Sequence, residues 1–277
     1  MSCPDCFKGT VHEGQPRGKV IKLHGLDTYM SEPIDGRPIK GIIVIIPDAF
    51  GWVFVNNMLL ADHYADKGCY RVYLPDFMAG WSAPIWMLDS IRIMEAPGNW
   101  FSKITNTPWL ICSLIPWYAI NRIGASYPRV KTFFGLLRQD EGADLPVGAA
   151  GFCWGGKHIA LLAGDAAQVN DKPLIDAGFT GHPSLLVMPD DVENIKLPVS
   201  FAIGDKDSHL PAEVTRKIRD IVESKPIEQR GEMILYPDCN HGFCVRADIT
   251  FEDVAKQAAA AEDQCIRWFN KQFKIET

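Results

Sequence analysis

The sequence predicts an α/β fold: a mostly parallel central sheet with helices on both faces. Three observations carry that expectation. Uninterrupted β-branched runs such as GIIVIIPD (41–48) mark strands buried on both faces. Helical periodicity recurs between such runs, as in NNMLLADHYADKG (56–68). Strand and helix then alternate to the C-terminus, which favours parallel pairing through crossover helices.

Taken in order, KVIKLHGLDTYMSEP (19–33) alternates weakly around Gly25, as an opening antiparallel hairpin does. Strand 41–48 follows, then helix 56–68, whose terminal Gly68 suits the C′ position. CYRVYLPD (69–76) is a second buried strand and LPVGAAGF (145–152) a third, with a helix from about Gly156 to Ala167 behind it. PLIDAGFTG (173–181) and LPVSFAIGD (197–205) read as the next two strands. Helix 212–224, strand 231–238 and a long helix over about 251–272 complete one α/β domain spanning 1–277.

Segment 78–127 breaks the alternation. It holds five of the eight tryptophans, and Ile104 to Asn121 carries no charge. Thr, Asn and Ser dilute that run, and Pro108 and Pro116 are expected to break it, so no membrane span is predicted. An inserted cap whose aromatic underside walls a substrate pocket is the expectation, with Trp81 and Trp117 as candidate contacts. A packed helical decoration or a homodimer contact is the alternative.

Composition narrows the function classes. A net charge of −6 with no basic block argues against nucleic-acid binding or an anionic membrane surface. The N-terminal stretch has no apolar core of a secretory signal, so a reducing cytoplasmic setting is expected. Eight cysteines in 277 residues are too few for a disulfide scaffold. Cys3 and Cys6 form a C-x-x-C pair with no second pair to complete a zinc site, so no metal and no cofactor is expected.

The chemistry concentrates at Gly151-Phe152-Cys153-Trp154-Gly155, a G-x-S-x-G nucleophile elbow with sulfur in place of oxygen. On such a strand-to-helix corner the flanking residues must be small, and the helix N-terminus favours a thiolate. Two partners follow at strand ends: Asp207 after strand 197–205, with Asp205 as the competing acid, and His241 after strand 231–238. Nucleophile, acid, histidine is the chain order of α/β-hydrolases, and in a parallel sheet these loops share one edge. His241 would take the thiol proton and Asp207 would hold its imidazole. The backbone N–H groups of Trp154 and Ala49 are the candidate oxyanion hole. His182, in a strand-end loop, is a candidate pocket residue or a satisfied loop histidine, and His158 reads as packing.

These residues resemble the dienelactone hydrolases (carboxymethylenebutenolidases), especially their fungal and yeast relatives, over nearly the whole chain. HEGQPRGKVIKLHGLDTYMS, PDAFGW, YLPDFMAG, GFCWGGK, GHPS, IGDKDSHLP and HGFCVR carry the resemblance. It implies an α/β-hydrolase fold, a Cys153–His241–Asp207 triad, and attack on a small-molecule ester, lactone or thioester. It further implies a carboxylate beside the resting cysteine, here Asp48 where bacterial members have Glu. An arginine for anionic substrates is implied at Arg246, one position later than in the bacterial pattern. The tryptophan-rich insertion is longer than in bacterial members. Two other outcomes stay open: acyl transfer, cyclisation or isomerisation of a polyketide-like compound, and a non-enzymatic thiol redox sensor or ligand carrier.

Overall fold

The computed structural model describes residues 4–95, 98 and 100–275. A hairpin of β1 (Lys19–Leu23) and β2 (Leu26–Ser31) opens the sheet, turning through Gly25 at φ +85°. β3 (Gly41–Ile46) follows, buried at every position. Its four isoleucines and one valine explain why: each fully buried side chain contributes roughly 1.5–3 kcal/mol, on the order of 10 kcal/mol before chain entropy. Helix α1 (Val55–Gly68) leads to β4 (Tyr70–Pro75).

The expected C′ glycine is displaced by one position. Gly68 is the last helical residue and Cys69 adopts the left-handed conformation at φ 56°. A Cβ on Gly68 would lie 2.1 Å from the Tyr70 ring, so close packing rather than dihedral freedom calls for glycine there.

The segment expected as an insertion forms α2 (Trp86–Glu95) and α3 (Trp100–Asn121), then runs into α4 (Ile123–Gln139). Pro108 and Pro116 do not break α3. The carbonyls they free belong to Ile104 and Cys112, both exposed, where water can take them. Only Leu110, Trp117 and Asn121 of α3 are buried, and Trp100, Phe101 and Trp109 face outward. Most of the aromatic surface therefore does not line an interior. Among the described residues no helix is long and apolar enough to cross a membrane.

β5 (Val147–Phe152) and α5 (Trp154–Gly164) follow, the helix starting two residues earlier than the sequence suggested. Pro173, the first residue of the expected strand 173–181, closes a small hairpin of β6 (Gln168–Val169) with β7 (Lys172–Pro173), and the strand itself shortens to the core strand β8 (Ala177–Gly181). A single turn, α6 (Asp190–Glu193), precedes β9 (Val199–Gly204), α7 (Ala212–Ser224) and β10 (Glu232–Tyr236). The short α8 (Phe243–Arg246) and long α9 (Glu252–Gln272) end the chain.

The sheet has eight strands in the order β1-β2-β4-β3-β5-β8-β9-β10, parallel from β4 to β10. From β3 the chain first adds β4 on one side, then returns to place β5 on the other. In open α/β sheets such a reversal opens a crevice at the C-terminal strand ends. The register aligns Ile46 with Gly151 and Phe152 with Gly181, bringing the loops after β3, β5 and β8 to one rim.

Candidate active site

Cys153 occupies the corner between β5 and α5 at φ 51°, ψ −112°, a conformation few non-glycine residues adopt. Its surroundings hold it there. Cys153 N–H donates to Gly181 O at 3.2 Å, and its carbonyl accepts from Gly156 N and Ser184 N, each at 3.0 Å. The elbow glycines are required by approach. A Cβ on Gly155 would sit 2.1 Å from Ile46 O, and one on Gly151 would sit 2.4 Å from Ile159. Larger residues would pry α5 away from β3 and β5, moving the sulfur with it.

The loop after β9 carries Asp207 and the loop after β10 carries His241. His241 Nδ1 donates to Asp207 Oδ2 at 2.9 Å, both side chains being fully buried. The other oxygen, Asp207 Oδ1, accepts His209 N–H at 2.9 Å, which aims the carboxylate. Asp205, the competing acid, is exposed. Sγ of Cys153 and a ring nitrogen of His241 lie within 4.8 Å of each other. Burial raises the Cys153 thiol, but hydrogen bonding with Cys6 and the charge of His241 outweigh it and bring it well below its ordinary value. Burial alone would discharge His241; the Cys153 thiolate and the Asp207 hydrogen bond instead push it up to about 9. Both shifts favour the charged pair, thiolate and imidazolium, over the neutral one.

The two expected oxyanion donors sit at the crevice. Trp154 is the first residue of α5, so no preceding turn accepts its N–H. Among the described residues no backbone carbonyl takes the N–H of Ala49, while Ala49 O accepts from Ala83 at 2.8 Å. The Trp154 indole donates to Asn121 O at 2.8 Å, tying the elbow helix to the end of α3.

Asp48 and Arg246 pair with each other, both fully buried. Asp48 also accepts from Asn57 Nδ2 at 3.1 Å and from Phe50 N at 3.2 Å, so it does cap its loop. Among the described residues no hydrogen bond joins Asp48 to Cys153 Sγ. Burial raises its carboxyl, Arg246 opposes, and the Cys153 thiolate adds to the rise. Arg246 Nε donates to Lys8 O at 2.6 Å, whereas Nη2 has no hydrogen-bond partner among the described residues. Arg246 and His241 line a cavity of about 390 Å³ together with Lys8, Gly9 and Phe243.

His182 is buried edge-on to His241, with ring centroids 5.0 Å apart. Among the described residues neither of its nitrogens has a hydrogen-bond partner, and burial together with the His241 charge pushes it toward the neutral form. His158 packs on Trp154 at 4.2 Å between centroids, and its Nε2 is hydrogen-bonded with Ser126 Oγ at 2.9 Å. Trp117 is buried edge-on to Phe7 at 5.8 Å. Trp81 stands apart: its side chain is 49% exposed, and its carbonyl merely accepts from Asn121 Nδ2.

Two neighbours of the sulfur, Cys6 and Ser184, were not expected. A 3-10 turn, Pro4–Phe7, lays Cys6 Sγ 3.5 Å from Cys153 Sγ and 3.8 Å from His241 Nε2. Ser184 Oγ lies 3.7 Å from the same sulfur. The ring of His209 lies 4.4 Å from that of His241 and its Nε2 is 3.5 Å from Cys6 Sγ. The C-x-x-C spacing was a signal for Cys6, but its other member, Cys3, lies outside the described residues.

Residues 124–273 match the family model described as the dienelactone hydrolase family. The chain is 27% identical over 271 residues to hydrolase pyvD of Aspergillus violaceofuscus, covering 97% of this chain and 96% of that protein. It is 27% identical over 245 residues to dienlactone hydrolase 1 of Gibberella moniliformis, covering 88% and 84%. A dienelactone hydrolase structure from Klebsiella pneumoniae superposes with a TM-score of 0.62 at 15% identity, over 91% of this chain and 97% of that one.

Proposed function

The chain belongs to the dienelactone hydrolase family and is a carboxylic ester hydrolase, and from that premise we propose that it works through a Cys153–His241–Asp207 triad and a covalent acyl-enzyme. The Cys153 thiolate attacks the carbonyl carbon of an ester or lactone. The new oxyanion rests on the N–H groups of Ala49 and Trp154. The His241 imidazolium gives its Nε2 proton to the departing alkoxide, leaving a thioester on Cys153. Neutral His241 then takes a proton from water, hydroxide displaces the sulfur, and acid is released with the thiolate and imidazolium restored. Asp207 keeps the Nδ1 proton in place throughout.

The observation that carries this reading is the 2.9 Å His241–Asp207 hydrogen bond beside a cysteine held at positive φ. Arg246 Nη2, on the cavity next to His241, is the donor for an anionic group of the substrate, and Asp48 acts by holding that guanidinium. The 78–127 segment serves as a cap through Trp117 rather than through Trp81. Cys6 Sγ stands where a reacting carbon must come, roughly 3–3.5 Å from the nucleophile, so turnover requires the Pro4–Phe7 turn to swing aside.

The test is intact-mass spectrometry after brief exposure to an aryl ester. One acyl group should appear on the wild type and none on Cys153→Ala, whose turnover should fall by orders of magnitude. Unchanged turnover in Cys153→Ala refutes the assignment. A second reading, transfer to an alcohol or thiol instead of water, is favoured by the burial of Cys153, which is 1% exposed beneath an apolar cover. Product analysis with an added alcohol separates the two.

A further inference from the structure

The cluster of Cys6, Cys153 and His241 has the composition and spacing of a soft-metal site. Their ligand atoms, two sulfurs and a ring nitrogen, all lie within 4.8 Å of one another, and all three residues are buried. We propose that Cys6 Sγ, Cys153 Sγ and His241 Nε2 bind one zinc ion, which fastens the N-terminal turn over the nucleophile and silences the enzyme.

The geometry can be compared with a tetrahedron. Zinc–sulfur bonds of about 2.3 Å and zinc–nitrogen bonds of about 2.0–2.1 Å require sulfur–sulfur edges of roughly 3.8 Å and sulfur–nitrogen edges of roughly 3.6 Å. The Cys6–Cys153 edge is 3.5 Å and the Cys6–His241 edge 3.8 Å. Those two edges match a tetrahedron to within a few tenths of an ångström, and the third, Cys153 to His241, lies within 4.8 Å and closes toward roughly 3.6 Å when an ion binds. A disulfide would instead need the sulfurs to close to about 2.05 Å, a far larger movement.

The supporting groups fit as well. His241 donates its other nitrogen to Asp207 at 2.9 Å, the carboxylate–histidine arrangement that orients a metal-bound imidazole. Two thiolates neutralise the dication, so the buried complex carries no net charge. The fourth position is left for water or for His209, whose Nε2 lies 3.5 Å from Cys6 Sγ. The cavity lined by His241, Lys8 and Gly9 provides an entry route. Zinc takes thiolates and a neutral imidazole, so binding releases protons and affinity rises with pH. The C-x-x-C pair at the terminus supplies only one of these ligands; the other two come from the elbow and from the loop after β10.

Metal binding is independent of the hydrolase reading, whereas silencing rests on it, and the experiment separates them. The full-length protein, kept reduced with a phosphine, is titrated with cobalt(II) and then zinc without substrate. One cobalt per chain should bind with a thiolate-to-metal charge-transfer band, and zinc should abolish that band. Cys6→Ser should weaken zinc binding at least about 100-fold, more than loss of a supporting residue costs. In a parallel assay zinc should stop ester turnover and EDTA should restore it, with the inhibition constant weakened to the same extent in Cys6→Ser. Absence of a thiolate band, or zinc affinity within about threefold in wild type and Cys6→Ser, overturns the site whatever the ester assay gives. A metal-free protein without esterase activity counts against the hydrolase reading alone, since the cobalt band still decides the site.

Discussion

Asp207→Asn is the sharpest probe of the proposed triad, because the substitution keeps the shape and removes only the charge. Asp207 Oδ1 accepts His209 N–H at 2.9 Å while Oδ2 faces His241 Nδ1 at 2.9 Å. An asparagine must keep its oxygen toward His209 and therefore turn its NH2 to His241. Nδ1 then becomes the acceptor and the imidazole proton moves to Nε2, facing the sulfur, where it blocks proton acceptance. The electrostatic loss is separable. Opposite charges about 4 Å apart at an effective dielectric near 20 interact by about 4 kcal/mol, or roughly three decades in rate. We expect kcat/KM on an aryl ester to fall by 10³- to 10⁴-fold at an unchanged melting temperature. The alkaline limb of activity, set by His241 at about 9, should move to lower pH, because Asp207 is one of the groups that push that imidazole up. A loss below tenfold, or an alkaline limb that stays in place, would refute the role given to Asp207.

Two further outcomes follow from the same site. Because the Cys153 thiol is held well below its ordinary value, its thiolate persists to lower pH, and iodoacetamide labelling should slow far less between pH 8 and pH 6 than for an ordinary thiol. An ordinary thiol would slow nearly 100-fold over that range, and such a slowing would show the thiolate is not stabilised. Gly155→Ala drives a methyl group to within 2.1 Å of Ile46 O, so overpacking should cost about 3 kcal/mol and turnover should collapse as α5 shifts. A variant that melts and turns over like the wild type would show that the elbow has slack there.

Much of the machinery was legible along the chain because its determinants are local. Strand β3 announces itself through consecutive β-branched residues, and the elbow through glycines two positions either side of Cys153. Asp207 and His241 were readable as residues just past buried strands, since parallel strands must deliver their C-terminal loops to one rim. The prolines of α3 misled because their effect depends on whether the freed carbonyls meet water. Gly68 misled because a neighbouring ring, not a left-handed turn, required it.

The sequence by itself determined the fold class and singled out the proposed nucleophile and the order of its proposed partners, all from patterns a few residues long. Only the tertiary structure decided what surrounds the sulfur. Cys6 reaches Cys153 across 147 positions, and Arg246 reaches Asp48 across 198. No periodicity or spacing encodes such meetings, because they arise when distant segments are packed against one sheet edge. Neighbours then bias the charges: burial alone would favour the neutral thiol and imidazole, and the partners the fold places around them shift both toward the charged forms.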